Sequence, residues 1–170
     1  MPALAPSRLL FDFSAPDAAA DWRTVDDVVM GGRSSSRFGP TSEHTACFKG
    51  MVSLDQGGGF ASVRKQASFD LSPYRAVTLR VRGDGQQYYL NLYTDAAPNA
   101  VSYRASFQPE PDVWRTLVVP FSALAPTSRG RRIPDAPAFD ASMVRALGFL
   151  ISDRQAGDFR LELAWIKAIS

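Results

Sequence analysis

Short segments of alternating apolar and polar residues run along almost the whole chain, and they constrain the fold more than any other feature of the sequence. The clearest is AVTLRVR at 76–82, where every second residue is apolar. About ten such segments are bounded by Gly, Pro, Asp or Ser, which is typical of antiparallel strands, and no long amphipathic helix competes with them. The pattern predicts an all-β chain folded as an antiparallel β-sandwich or jelly roll.

The predicted strands share this alternation and end at turn-forming residues. They are Leu9–Phe13, Val25–Met30, Thr45–Leu54, Phe60–Gln66, Ala76–Arg82, Gln87–Thr94, Ser102–Gln108, Trp114–Val119, Ala146–Ser152 and Phe159–Ile169. One helical turn is predicted over Asp17–Asp21. The glycines of Gln56–Gly59 predict a hairpin between their flanking strands. Ala125–Pro137 is rich in Pro, Arg and Gly, which predicts an irregular surface loop.

Size and composition limit the class of protein. A chain of 170 residues, 45% apolar and 21% charged, predicts one soluble domain over residues 1–170. A net charge of +2 gives no strong field, so we expect no nucleic-acid partner. The single cysteine excludes an intrachain disulfide. No apolar run approaches the ~20 residues of a membrane span, and the N-terminus lacks a secretory signal, so a cytoplasmic protein is expected.

Three consecutive predicted strands, between residues 76 and 108, place polar and aromatic side chains opposite their apolar faces. We predict that these side chains form one shared surface: Arg80, Arg82, Tyr89, Asn91, Tyr93, Arg104, Ser106 and Gln108. Aromatic rings beside hydrogen-bonding groups suit a carbohydrate ligand, and Tyr and Arg equally suit a protein partner. The alternative is an ordinary solvated sheet face.

Trp22–Phe38 concentrates polar residues around Gly31 and Gly32. Asp26 and Asp27 are adjacent carboxylates, but neighbouring side chains of a strand point to opposite faces and cannot both address one substrate atom. We therefore predict that one of them caps backbone N–H groups of the following turn. The stretch is expected to tie down that turn and brace one edge of the sandwich.

The sequence offers little support for catalysis or for a bound metal. One histidine, His44, and one cysteine, Cys47, cannot form a structural zinc site alone. The scattered carboxylates considered for calcium form no Asp-rich loop: Asp12, Asp26, Asp158 and Glu162. No G-x-S-x-G, P-loop or H-E-x-x-H motif is present. We predict no metal, no cofactor and no enzymatic activity.

An ordered set of motifs resembles the complex I intermediate-associated protein family. The stretch DDVVMGGRSSS at 26–36 is similar to the D-x-V-M-G-G-x-S signature of that family. Further matches follow in the family's order: FKG at 48–50, GGGFASVR at 57–64, LRVRGDG at 79–85, Trp114 with VPF at 119–121, and Gly148-Phe149 with the residues Asp153, Gln155, Gly157 and Phe159.

The resemblance implies a galactose-binding-domain-like β-sandwich and a non-enzymatic role in assembling NADH:ubiquinone oxidoreductase. The implied partners are protein subunits of a membrane-associated complex; a carbohydrate- or small-ligand-binding module is the alternative. A bacterial stand-alone relative would be cytoplasmic, and a mature eukaryotic form would lie in the mitochondrial matrix. The family-marker residues are expected to be structural or to contact a partner: Trp22, Asp26, Asp27, Met30, Gly31, Gly32, Ser34, Ser36, Gly58, Gly59 and Arg64.

Overall fold

The structure is a computed structural model that describes residues 6–27, 31–55, 58–95, 97, 100–128 and 130–170. Thirteen strands lie in these ranges. They are β1 Ser7–Asp12, β2 Arg23–Asp26, β3 Ser35–Pro40, β4 Ala46–Val52, β5 Ala61–Phe69, β6 Ala76–Arg82, β7 Tyr88–Tyr93, β8 Ser102–Phe107, β9 Trp114–Pro120, β10 Ala125–Ser128, β11 Arg131–Arg132, β12 Val144–Ile151 and β13 Gly157–Ile169. Short 3-10 helices occupy Pro16–Ala19, Phe121–Ala123 and Ala141–Met143.

The strands form two antiparallel sheets. The first sheet has the order β3-β4-β13-β6-β9, with β1 also paired to β13, and the second has the order β11-β10-β8-β7-β12-β5-β2. The long strand β13 pairs with β4 along its first half and with β6 along its second. The predicted all-β sandwich is therefore confirmed. In the described ranges, no helix is long and apolar enough to cross a membrane.

The two sheets enclose a common apolar core. Inward-facing residues such as Leu79, Leu90 and Leu161 are fully buried and belong to one cluster. At one end of the core, the Trp22 ring stacks on Phe38 at 4.9 Å and on Phe149 at 6.2 Å between centroids. These rings come from both sheets, so burial of their large apolar surfaces holds the sheets together.

Alternation predicted most strands closely, but it missed three strands at or next to sheet edges. β3 is polar and is absent from the predicted strands, yet it pairs with β4 along its length. The predicted loop Ala125–Pro137 contains β10 and β11, which continue the second sheet beyond β8. Edge strands are held by backbone hydrogen bonds with little core contact, so their side chains need no strict alternation.

The predicted hairpin at Gln56–Gly59 is wrong, because β4 belongs to the first sheet and β5 to the second. The predicted strand Val25–Met30 is confirmed only as far as Asp26, and Val28–Met30 lies outside the described residues. The expected helical turn at Asp17–Asp21 is present as the 3-10 turn Pro16–Ala19.

Candidate functional site

The predicted shared surface is divided between the two sheets. β6 lies in the first sheet, whereas β7 and β8 are neighbours in the second. Each of the three strands does turn its apolar residues inward as predicted. Alternation predicts which side chains face the core but not which sheet a strand joins. The predicted placement of Arg80 and Arg82 beside the other residues is therefore wrong, because these two lie on the opposite side of the molecule.

On the outer face of the first sheet, Arg80 and Arg82 are held by neighbours. Arg82 donates to the buried Glu162 carboxylate at 2.7 Å, and its guanidinium lies 5.3 Å from the Trp114 ring centre. Arg80 donates to the Thr116 hydroxyl at 3.3 Å. Burial alone would raise the pKa of Glu162, but hydrogen bonds from Arg82 and Arg160 outweigh it and lower the pKa.

The outer face of the second sheet carries the rest of the prediction. We call Arg64, Tyr89, Asn91, Tyr93 and Arg104 the tyrosine–arginine face. In the sheet register, Asn91 of β7 lies opposite Arg104 of β8 and Gly148 of β12, and Gly148 lies opposite Arg64 of β5. The face is therefore a row of long polar side chains across four adjacent strands, with a glycine near its centre.

Each tyrosine of this face is covered by an arginine. The Arg104 guanidinium lies 4.3 Å from the Tyr89 ring centre, and the Arg64 guanidinium lies 4.5 Å from that of Tyr93. Such cation–π contacts contribute about 0.5–1 kcal/mol each at exposed sites. The Tyr89 hydroxyl also donates to the Asp153 carboxylate at 2.6 Å. Burial raises the pKa of both tyrosines, so both are neutral hydrogen-bonding groups.

Asn91 lies between the two Arg–Tyr pairs and is only 4% exposed. Its Oδ1 has no hydrogen-bond partner among the residues that the structure describes. A buried amide oxygen without a donor costs free energy.

Ser106 and Gln108 complete the predicted set at the margin. Ser106 is exposed opposite Tyr89. The Gln108 side chain instead donates to the carbonyl of Gly85 at 2.8 Å, which attaches it to the turn between β6 and β7. The sequence singled out Arg64 only as a family marker. The alternation of β5, which buries Ala61 and Val63, turns Arg64 outward and could have placed it on this face.

The family signature forms a separate cluster, centred on a fully buried carboxylate, that we call the Asp27 clamp. Asp27 accepts hydrogen bonds from the Ser34 N–H at 2.8 Å, the Ser34 hydroxyl at 2.6 Å and the Gly59 N–H at 2.6 Å. The Phe60 N–H adds a longer bond of 3.3 Å. Burial alone would raise the pKa of Asp27, but these hydrogen bonds outweigh it, so the pKa lies below its ordinary value.

The clamp joins both sheets at one end of the sandwich. Asp27 follows β2 and Gly59 precedes β5 in the second sheet, whereas Ser34 precedes β3 in the first. The Ser34 hydroxyl also accepts from the Ser53 N–H, just beyond β4, at 2.9 Å. The prediction that an aspartate caps the turn is confirmed, with Asp27 as that residue.

Two glycines of the clamp are required by close approach to Asp27. A Cβ at Gly32 or at Gly58 would lie within 3.0 Å of the Asp27 side chain, a separation that real Cβ atoms do not show. Gly59 and Gly31 instead have φ values of +137° and +86°, which other residues rarely adopt. The Asp, the second Gly and the Ser of the signature are thus parts of one packed hydrogen-bonded unit.

The other signature residues take different positions. Trp22 is in the core, and Met30 lies outside the described residues. Asp26 accepts from the Ser36 hydroxyl at 2.5 Å, away from the clamp, so the two aspartates serve separate partners as predicted. Burial raises the pKa of Asp26, against the opposing effect of its hydrogen bonds.

The positions of the histidine, the cysteine and the carboxylates give little support for catalysis or metal binding. His44 is exposed and Cys47 is buried, and burial raises the pKa of the Cys47 thiol, so the two do not form an activated pair. Within the described ranges, no three His, Cys, Asp or Glu residues are grouped as metal ligands. The tyrosine–arginine face carries two tyrosine rings, each beside an arginine guanidinium.

Curated relatives match this chain along most of its length. Complex I intermediate-associated protein 30 of Drosophila melanogaster is 25% identical over 181 residues, covering 93% of this chain, and the chain spans 61% of the fly protein. The protein of the same name from Neurospora crassa is 22% identical over 195 residues, covering 91% of this chain and 70% of its own length. Both names include the word mitochondrial.

The chain also matches a solved structure and a protein-family model. The family 11 carbohydrate-binding module of Clostridium thermocellum, in complex with a β-1,3-1,4-mixed-linked tetrasaccharide, has a TM-score of 0.68 at 15% identity, covering 99% of this chain and 98% of that one. At this identity the likeness shows a shared sandwich fold. The model described as Complex I intermediate-associated protein 30 matches residues 11–163. The chain therefore belongs to the Complex I intermediate-associated protein 30 family.

Proposed function

We propose that this protein is a non-enzymatic binding protein that holds subunits of respiratory complex I, or of a related multisubunit complex, during assembly. The observation that carries the proposal is the family match over residues 11–163. The relatives are named for association with complex I intermediates. We propose the mitochondrial matrix, or the bacterial cytoplasm from which the matrix derives, as its compartment, and residues 1–170 as a single domain.

The tyrosine–arginine face is the surface that we assign to the partner subunit. Arg and Tyr are the residues that most often dominate the binding energy of protein interfaces. One face of each tyrosine ring is covered by a guanidinium, which makes that ring face unavailable to a sugar. A guanidinium carries five N–H donors, which suit carboxylates or carbonyls of a protein partner.

A second candidate function is supported by Asn91. Its Oδ1 has no partner among the described residues, and a ligand hydroxyl that displaced the side chains covering it would supply the missing donor, as in many carbohydrate sites. Under this alternative the same face is a carbohydrate- or small-ligand-binding site, and the tyrosines flank the ligand instead of a protein surface.

Affinity purification from the native cell tests the first function. Wild-type protein should recover complex I subunits, and Arg104→Ala combined with Tyr89→Ala should reduce the recovery at least about tenfold, because hot-spot residues contribute ~2 kcal/mol or more each. Arg75→Ala is the matched control, since Arg75 is exposed at the start of β6 and away from the face. Unchanged recovery by the double variant would remove the face from the proposal, and failure of the wild type would remove the function.

A glycan array separates the alternative from the first function. The second candidate predicts glycan binding by the wild type that Tyr89→Ala and Tyr93→Ala both abolish. Binding to no glycan, together with recovery of complex I subunits, would leave the assembly function alone.

A further inference from the structure

Three cationic side chains stand in one row on the outer face of the first sheet. Arg37 of β3 lies directly opposite Lys49 of β4, and Lys49 lies directly opposite Arg160 of β13. All three are exposed. Neighbouring strands are about 4.8 Å apart, so this basic row of three charges extends over roughly 10 Å.

Two members of the basic row have no counter-ion among the residues that the structure describes. Arg160 shares the Glu162 carboxylate with Arg82, at 2.7 Å from each. Neither Arg37 nor Lys49 has a carboxylate within ion-pair distance among the residues that the structure describes. Like charges directly opposite one another on a sheet are destabilising, so this arrangement weakens the fold in the absence of an anion.

The row lies in an open groove of about 600 Å³. The groove is also lined by Ser35, Met51 and Phe159, and Asp158 is the one carboxylate among its lining residues. Arg160 is already paired with Glu162, so the unpaired Arg37 and Lys49 against Asp158 leave these groove residues with an excess of one positive charge. Gly50 forms part of its floor, where any Cβ would overlap the backbone of Ser35 and Ser36.

We propose that this groove binds an acidic segment of a partner protein, with its carboxylates placed on Arg37, Lys49 and Arg160. The inference rests on the proposed function of binding protein partners and adds a second contact surface on the opposite sheet. Arginine pairs with a carboxylate through a planar fork of N–H donors, and lysine adds a point charge.

The shape of the groove favours an extended acidic peptide over a compact phosphate. A single phosphate contacts at most two charges of a row this long. Alternate side chains of an extended peptide are about 6.6 Å apart and point the same way, so two acidic residues span the row. Met51 is 45% exposed beside the row and offers the apolar contact that a peptide also needs.

Fluorescence anisotropy with a labelled peptide of alternating Glu and Ser tests the proposal on the full chain. Wild-type protein should bind this peptide but not the same peptide with Gln in place of Glu. Arg37→Gln combined with Lys49→Gln should weaken binding about tenfold, since each lost exposed ion pair contributes up to about a factor of five. The same double variant should raise the melting temperature by about 1 °C, because it relieves like-charge repulsion.

Arg75→Gln combined with Arg132→Gln is the control of equal net charge, because both arginines are exposed away from the groove. Equal weakening by the control would show an effect of net charge only and overturn the proposal. If pyrophosphate displaced the labelled peptide at a lower concentration than the unlabelled peptide does, the proposal would also be overturned. Binding of phosphatidylglycerol vesicles that needs the same residues would overturn it as well. Failure of the wild-type protein to bind the Glu–Ser peptide, with intact recovery of complex I subunits, would refute this inference and spare the proposed function.

Discussion

The Asp27 clamp and the tyrosine–arginine face each contain a buried polar side chain, and the two side chains differ in whether their oxygens are hydrogen-bonded. Asp27 is fully buried, and both of its carboxylate oxygens accept hydrogen bonds from the protein. Asn91 is almost as deeply buried, but its Oδ1 has no partner in the described part of the chain. A satisfied group stabilises the fold, whereas an unsatisfied one costs stability and gains from an external donor. Asp27 therefore stabilises the fold, whereas Asn91 leaves an acceptor unsatisfied among the described residues.

The largest expected effect comes from removing the Asp27 carboxylate. Asp27→Ala leaves the Ser34 and Gly59 N–H groups without an acceptor, so the free energy of unfolding should fall by about 3 kcal/mol or more. Urea denaturation measures the change. Asp55→Ala is the control, because Asp55 is exposed and the bond that it receives from Gly58 uses its backbone carbonyl. A loss below 1 kcal/mol for Asp27→Ala would contradict the structural role of the clamp.

Glycine substitutions test the packing of the same clamp. Gly58→Ala places a Cβ against the Asp27 carboxylate and should lower the free energy of unfolding by about 2 kcal/mol through overpacking. Gly39→Ala, in β3, meets no atom within 4 Å and should change it by less than about 0.5 kcal/mol. Thermal melting compares the two variants. Equal melting temperatures would show that the clamp can shift to accommodate the methyl group.

The pH dependence of stability should differ between the two adjacent aspartates. The pKa of Asp27 is lowered in the folded state, so its contribution is present above about pH 4 and is lost as the pH falls through the folded pKa. The pKa of Asp26 is raised, so its contribution has the opposite sign and declines as the pH rises above about 4. Urea midpoints at pH 2.5–6 should show a smaller acid-induced loss for Asp27→Asn than for the wild type, and a larger one for Asp26→Asn.

The smallest effect on folding is expected on the tyrosine–arginine face. Asn91→Leu removes one hydrogen bond with Tyr93 and an amide oxygen that has no partner among the described residues, so the free energy of unfolding should change by about 1 kcal/mol or less. Recovery of partner subunits should nevertheless fall. A strong loss of stability would show that the Asn91 amide is structural, like Asp27, and the contrast between the two regions would fail.

Alternation along single strands predicted much of the molecule. The segments 76–82, 87–94 and 102–108 face the core with the predicted residues, because a side-chain period of two is a local property of a strand. The same reasoning separated Asp26 from Asp27. It could not tell which of them caps the turn, because that depends on β2 ending at Asp26 and on the backbone of β5 arriving beside Asp27.

The sequence did not predict which of the two sheets each strand joins. β4 and β5, like β6 and β7, are consecutive strands that cross from one sheet to the other. A connecting turn that stays within one sheet and one that crosses between sheets both use Gly, Asp and Pro, so the residues between the strands do not distinguish them. For this reason Arg80 and Arg82 were placed on the wrong side of the sandwich.

The sequence by itself determined an all-β chain, the inward face of most strands and the family signature, because these depend on local periodicity and on short ordered motifs. The tertiary structure decided which side chains meet. It brought Asp27 to Gly59, Arg64 to Tyr93, and Arg37 to Lys49 and Arg160. Such contacts depend on strand order and register, which are set by the packing of two whole sheets around one core and not by any single segment.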